Sequence, residues 1–238
     1  MSPVEAMVEY IPAIQDRFRK SGFPEFREVE VHGHLLVGGQ TVMQQSAPQW
    51  EFLDKANTTS ILLNLDAITV QTTDYKRFED LEGTLHLAFA IIHEVVGLAQ
   101  VHRYGLRYIN VIRLGGDPDF AAWVQPYLLG HPNFPEAQRM GSFSETVFFG
   151  DASNRLVARC MTLHSGLPIP ADLSPCSLRL PFATPLNEPF VVIDNDHGLV
   201  RPEDFDPALA VEAISGLHDM LDLAFRTSVT PQALEKWT

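Results

Sequence analysis

The chain has 238 residues, of which 45% are hydrophobic and 20% are charged, and its formal net charge is −13. This length fits one large domain or two smaller ones, and the apolar content is sufficient for a hydrophobic core without cross-links. The negative charge disfavours general binding to nucleic acids and to anionic membrane surfaces. Cys160 and Cys176 form neither a CxxC pair nor a metal-ligand spacing, so we expect no disulfide framework. We also expect no cofactor.

The N-terminal sequence has no basic stretch followed by an apolar run, and no segment approaches the roughly 20 apolar residues of a membrane span. We therefore expect a cytoplasmic protein with no membrane partner. In that compartment its thiols would be reduced.

The first helix is predicted from apolar residues at helical spacing: Met7, Ile11, Ile14 and Phe18. Because Pro12 lies within this pattern and cannot donate a backbone hydrogen bond, we predict that the helix begins at Pro12 and ends near Lys20. Strand-like patterns follow at 27–37, from Trp50 onwards and at 60–72.

The middle of the chain contains the strongest periodic signals. Apolar residues from Phe78 to Leu98 predict a long helix that ends near Gly97, and residues 101–114 predict a strand rich in Tyr, Ile and Val. Residues 115–139 contain three glycines and four prolines, which indicates a short helix and a connector between two halves.

The C-terminal part is predicted to contain a hairpin and a second long helix. Residues 142–149 and 155–163 form the hairpin around 151–154, and the helix follows Phe205 with Asp206 as its N-cap. Two segments, 62–66 and 190–194, each end in Asp and each precede a long helix.

We infer from these elements an α+β fold with two related halves, each an antiparallel sheet covered by a long helix. The first half is predicted to span residues 1–114 and to contain the 101–114 strand. Residues 115–139 are the predicted connector, and residues 140–238 form the second half.

The run from Arg103 to Asn110, RYGLRYIN, resembles the RxGLRYIN motif of a sporadically distributed bacterial family of unknown function. Similar features are Trp50 at the start of a strand, residues 72–75 before the long helix, and the C-terminal segment 230–237. The resemblance implies no catalytic assignment. The patchy occurrence of that family implies an association with defence systems or mobile elements.

The same run supplies the candidate ligand-binding residues, which are Arg103, Arg107, Tyr108 and Asn110. Alternate residues of a strand share a face, so Arg103, Arg107 and Arg113 could form a basic strip. Arginine suits phosphate or carboxylate groups, which makes a small anionic ligand possible. The alternative, which we favour, is that these arginines pair with the protein's own acidic residues.

Two further groups could hold a metal ion, although we favour a structural role for both. Asp194, Asp196 and His197 lie in a run that departs from the calcium-loop pattern and that we predict to be a turn. His86 and His93 share a face of the long helix, but the sequence does not complete an HExxH motif.

The chain contains no GxSxG, GxxxxGK[ST] or GxGxxG motif. We therefore expect a non-catalytic protein-binding protein, such as an accessory, immunity or antitoxin-like component of a bacterial defence or mobile-element system. The alternative is an enzyme or small-ligand-binding protein that holds an anionic ligand in the cleft between two halves. Binding to nucleic acid is the least favoured function.

Overall fold

The computed structural model describes residues 7–37, 40–115, 119–131, 136–137, 139–151, 153–173 and 177–237, with the backbone alone for residues 30–46. Over these ranges the chain forms two four-stranded antiparallel sheets and four α-helices. The predicted α+β class is therefore confirmed. The chain divides into two compact units.

The first unit consists of Met1–Ala99 and Cys176–Pro181. Its elements are α1 (Met7–Lys20), β1 (Glu25–Val37), β2 (Gln40–Leu53), β3 (Thr59–Leu63), β4 (Ile68–Thr72) and α2 (Phe78–Val96). The strands lie in the order β1-β2-β3-β4. The core of this unit contains Phe18, Trp50, Phe52 and Ile92, all of which are almost fully buried.

Helix α1 begins five residues before the predicted start and contains Pro12. The prediction of a start at Pro12 was wrong because it was based only on the backbone hydrogen bond that proline cannot donate, and not on the burial of the residues before it. Met7 and Ile11, which precede Pro12, are buried on the same face as Ile14 and Phe18. Burial of these apolar side chains offsets the hydrogen bond that proline cannot donate.

The second unit consists of Gln100–Pro175 and Phe182–Thr238. Its elements are β5 (Gln100–Arg113), β6 (Gly141–Asp151), β7 (Asn154–Leu163), β8 (Phe190–Asp204), α3 (Pro207–Ser228) and α4 (Pro231–Glu235), with three short 3-10 helices at Phe120–Ala122, Pro126–Leu128 and Ala171–Leu173. The strands lie in the order β5-β8-β7-β6. Helix α3 contacts β5 and β8.

The boundary between the units lies after Ala99, not within residues 115–139. The predicted division placed the 101–114 strand in the first half, but β5 pairs with β8 along almost its whole length and belongs to the second sheet. The predicted connector also belongs to the second unit, because Phe120 and Val124 are buried in its core beside Val229.

Residues 194–198 were predicted to form a turn, and this prediction was wrong. They lie within β8 and pair with β5 on one side and with β7 on the other. A strand tolerates the acidic residue Asp194 at this position because two arginines on the neighbouring strands neutralise it.

Within the described residues, no helix is both long enough and apolar enough to cross a membrane.

Candidate functional site

The four candidate ligand-binding residues lie on β5, and the alternation of the strand divides them between two faces of the second sheet. Arg103 and Arg107 lie on one face. Tyr108 and Asn110 lie on the other face, on which α3 packs. The structure therefore does not bring the four residues together into one site.

Arg107 belongs to a row of charged side chains that crosses all four strands of the sheet. Its Nε and Nη2 atoms each donate to the carboxylate of Asp194 at 2.7 Å. Its Nη1 donates to Asp172 at 2.5 Å, from the 3-10 helix Ala171–Leu173. Arg159 on β7 contacts Asp194 from the opposite side at 3.3 Å and donates to Glu145 on β6 at 2.7 Å.

The row contains three carboxylates and two guanidinium groups, and each of the three guanidinium nitrogens of Arg107 donates to a carboxylate. The side chain of Asp194 is 5% exposed and that of Arg107 is 22% exposed. The hydrogen bonds to Asp194, and then those to Asp172, raise the pKa of Arg107 above its ordinary value. An anionic ligand at Arg107 would have to compete with both of these acids, so the geometry supports the favoured alternative of internal pairing.

The hydrogen bond from Arg107 lowers the pKa of Asp172 below its ordinary value. A lowered pKa in the folded state means that this contact stabilises the fold at pH values above the ordinary carboxyl pKa. Its contribution is lost as the pH falls through the lowered value.

Tyr108 and two histidines form a polar layer between the sheet and α3. The hydroxyl of Tyr108 lies 3.1 Å from Nδ1 of His218, and the two rings meet edge to face. Nδ1 of His197 donates to the carbonyl oxygen of Leu217 at 3.2 Å. Tyr108 and His197 thus attach α3 to the sheet by polar contacts, a structural role for Tyr108 that differs from the predicted ligand contact.

Arg103 has a different environment from Arg107. It is exposed, and its guanidinium group lies against Gly198, where a Cβ atom would be 3.3 Å from Nη2. Arg155 on β7 is the direct neighbour of Gly198 on the other side. Within the part of the chain that the structure describes, neither arginine has an ion pair, so these two guanidinium groups remain available to an anion.

Four charged residues of this face were not predicted from the sequence: Asp172, Arg159, Glu145 and Arg155. No local spacing connects them to Arg107, because they come from three other segments of the second unit: β6, β7 and the 3-10 helix Ala171–Leu173. Only the strand pairings β5–β8, β7–β8 and β6–β7 place three of them on one face. A cross-strand pairing of Arg with Asp or Glu is the signal that could have found them, once the strand order was known.

No group of three or more His, Cys, Asp or Glu side chains suited to a metal ion occurs among the described residues. His86 is exposed on α2, and His93, two helical turns further along the same helix, is partly buried. The geometry of the described residues therefore adds no third ligand to this histidine pair.

Comparisons of the chain with protein-family models, with curated proteins and with solved structures give no match.

Proposed function

We propose that this chain is a non-catalytic protein-binding protein of the cytoplasm, an accessory, immunity or antitoxin-like component that binds a basic amphipathic helix of another protein. The binding surface is the outer stripe of α3, which we define as Leu209, Gly216, Met220, Leu223 and Thr227. The observation that carries the proposal is that this stripe is exposed and, apart from Thr227, apolar, although a different face of α3 is already buried.

The outer stripe follows the geometry of a helix-docking surface. Its members recur at intervals of seven, four, three and four residues, which places them along one line of an α-helix. Leu209 and Leu223 are both more than half exposed, and Met220 is exposed between them. At the centre, no atom outside the backbone of α3 and the two chain neighbours of Gly216 lies within 4 Å of its Cβ position, which leaves room for a second helix to approach closely.

The residues beside the stripe indicate the charge of the partner. Glu212 and Asp219 are exposed and lie along one edge of the stripe. The whole chain has a net charge of −13, which attracts basic partners and repels acidic ones over several ångströms. A second copy of this chain would place Glu212 close to Asp219 of the other molecule, so a helix with lysine or arginine at its edge fits better.

The experiment is co-purification of the chain with the products of its neighbouring genes, followed by native mass spectrometry. Leu223→Glu should abolish recovery of the identified partner, because the substitution places a charge within an apolar contact. Leu167→Glu is the matched control, since Leu167 is equally exposed but lies outside α3. Added salt should weaken the complex because the charges are complementary.

Loss of the partner in both variants would show that binding does not depend on the outer stripe. Retention of the partner in Leu223→Glu would exclude α3 as the surface. If the wild-type chain recovers no partner at any salt concentration, the proposed function fails.

A second candidate function is the binding of a small anion by Arg103 and Arg155. Two neighbouring guanidinium groups without an acidic partner attract phosphate or carboxylate groups. Titration with inorganic phosphate, followed by NMR, should shift the backbone signal of Gly198, and Arg103→Ala should abolish that shift. Arg113→Ala is the control on the same strand, and an identical response of all three proteins would exclude the site.

We also propose that the two units are related by duplication and that α2 and α3 each cover one sheet. Both units contain four antiparallel strands and a long helix. When the second sheet is listed from its opposite edge, its strand order is β6-β7-β8-β5, so that β1, β2, β3 and β4 would correspond to β6, β7, β8 and β5. This correspondence supports the relation. It differs in one strand, because β4 follows its three sheet partners in the chain whereas β5 precedes them.

A further inference from the structure

Strand β6 is an edge strand with an unusually apolar surface. Within the described residues it pairs with β7 alone. Phe143 is 64% exposed and Phe149 is 69% exposed, both on the face that carries Arg159 and Arg107. Phe148 is exposed on the other face.

Natural proteins protect such an edge with lysine, proline, a bulge or a covering segment. The sequence of β6, GSFSETVFFGD, contains neither lysine nor proline. Its register with β7 is regular from Gly141 to Phe149 and shifts only between Phe149 and Asp151. Glu145, the acidic residue within the regular part, is already paired with Arg159. The regular part therefore presents an open ladder of backbone groups that can accept another strand.

The sequence of β6 is complementary to itself in one antiparallel register. When two copies are related by a two-fold axis at Thr146, Phe143 of each copy lies opposite Phe149 of the other. Glu145 then lies opposite Val147, and Ser144 lies opposite Phe148. Aromatic pairs across strands are favourable, and like charges directly opposite each other are not; this register forms two aromatic pairs and opposes no like charges.

The neighbouring registers are poorer. An axis at Glu145 places the two glutamates opposite each other. An axis at Val147 places Phe143 opposite Asp151 and loses both aromatic pairs. An axis at Phe148 places Glu145 opposite Asp151.

We propose that β6 binds β6 of a second copy of this chain, antiparallel and with the two-fold axis at Thr146. The second sheets of the two copies then form one continuous sheet of eight strands. The contact is isologous, so it closes into a dimer and does not propagate into a filament. The dimer uses a different surface from the outer stripe of α3, so the dimer and the helix-binding function can be tested separately.

The first experiment tests the register by disulfide formation in the full-length chain. Thr146→Cys should form a covalent dimer under mild oxidation, because residues directly opposite each other across an antiparallel pair have Cβ atoms about 5 Å apart. Glu145→Cys is the matched control, since its diagonal separation from its own equivalent is too long for a disulfide. The wild-type chain reports any dimer formed through Cys160 or Cys176.

The second experiment measures the dimer without cross-linking. Light scattering after size-exclusion chromatography should show a dimer for the wild-type chain and a monomer for Val147→Lys, with the affinity reduced at least about tenfold. Val200→Lys is the control because Val200 is also exposed on the same face but lies on the inner strand β8. Because two chains of charge −13 repel each other, salt should strengthen this dimer, whereas it should weaken the complex with a basic helix.

A wild-type chain that stays monomeric at every concentration and salt level overturns the proposal. It is equally overturned if Thr146→Cys and Glu145→Cys cross-link equally, or if Val147→Lys leaves a wild-type dimer intact. Binding of a strand from a different protein at β6, with no dimer, would replace the second copy as the occupant.

Discussion

The pairing of Arg107 with Asp194 controls the stability of the second sheet. A carboxylate that is 5% exposed is costly to leave without its partner. We predict that Arg107→Ala lowers the free energy of unfolding by about 3 kcal/mol. Arg107→Lys should lose less, because lysine keeps the charge but not the two parallel hydrogen bonds. Urea unfolding followed by circular dichroism measures both values.

The control for this prediction is Arg113→Ala on the same strand. Arg113 pairs with Glu188, but its side chain is more than half exposed, and surface ion pairs contribute about 0–1 kcal/mol. Equal losses for Arg107→Ala and Arg113→Ala would mean that Asp194 is solvated and that the charged row has no special role.

The hydroxyl group of Tyr104 should ionise at a higher pH than an ordinary tyrosine hydroxyl group. Burial, together with the hydrogen bond that its hydroxyl donates to Glu203 at 2.7 Å, raises its pKa to about 12. Because the pKa is raised in the folded state, the contribution of Tyr104 to stability is complete below about pH 10 and is lost as the pH approaches 12. Ultraviolet titration of the phenolates should therefore show a late component.

Tyr104→Phe should remove that late component, whereas Tyr127→Phe, at an exposed position, should leave it in place. A titration in which Tyr104→Phe removes an early component would contradict the predicted burial of the hydroxyl group.

Substitution by alanine should have opposite effects on the free energy of unfolding at two glycines: Gly83 inside α2 and Gly97, which follows its last residue. Gly97 ends the helix with φ of 71° and donates to the carbonyl oxygen of His93 at 2.8 Å. We predict that Gly97→Ala lowers the free energy of unfolding by about 1 kcal/mol, because alanine resists this left-handed backbone conformation. Gly83 lies inside the helix, and no atom outside the helix backbone and its two chain neighbours lies within 4 Å of its Cβ position. Gly83→Ala should therefore raise the free energy of unfolding by about 1 kcal/mol. Thermal unfolding of the two variants measures this difference; equal signs would contradict the assigned helix end.

Helices and strands that are determined by a local pattern of residues were predictable from the sequence. The long helix from Phe78, its end at Gly97, the β5 strand and the β6–β7 hairpin are confirmed within a few residues. Apolar periodicity and a terminal glycine determine these elements without reference to distant residues.

Elements whose stability depends on distant partners were not predictable. The run at 194–198 contains turn-forming residues, yet Asp194 lies in a strand because Arg107 and Arg159 neutralise it from adjacent strands. The placement of β5 in the second sheet likewise depends on its pairing with β8. Of the candidate site, the internal pairing of Arg107 was favoured correctly, but its acidic partners could not be named, since strand order is not a local property of the sequence.

The first unit is completed by a segment from much later in the chain. Residues Cys176–Pro181 belong to this unit although the second unit supplies the residues on both sides of them in sequence. The backbone amide of Arg179 donates to the carbonyl oxygen of Asn57 at 2.6 Å, and its carbonyl oxygen accepts from Thr73 at 2.7 Å. We therefore expect the stability of the first unit to depend on a part of the chain that is synthesised only after most of the second unit's strands.

Ser177 provides a direct measure of this dependence. Its hydroxyl donates to the carboxylate of Glu51, which is 2% exposed and whose other described contact is with Gln71 at 3.5 Å. We predict that Ser177→Ala lowers the free energy of unfolding of the first unit by about 1–3 kcal/mol, because a buried carboxylate loses its main donor.

In a chain with Trp123→Phe and Trp237→Phe, the fluorescence of the buried Trp50 reports this unit alone. Ser153→Ala is the control, since Ser153 bonds to Asp151 at the surface. If the Trp50 transition is the same in Ser177→Ala as in the control, the first unit does not depend on the later segment.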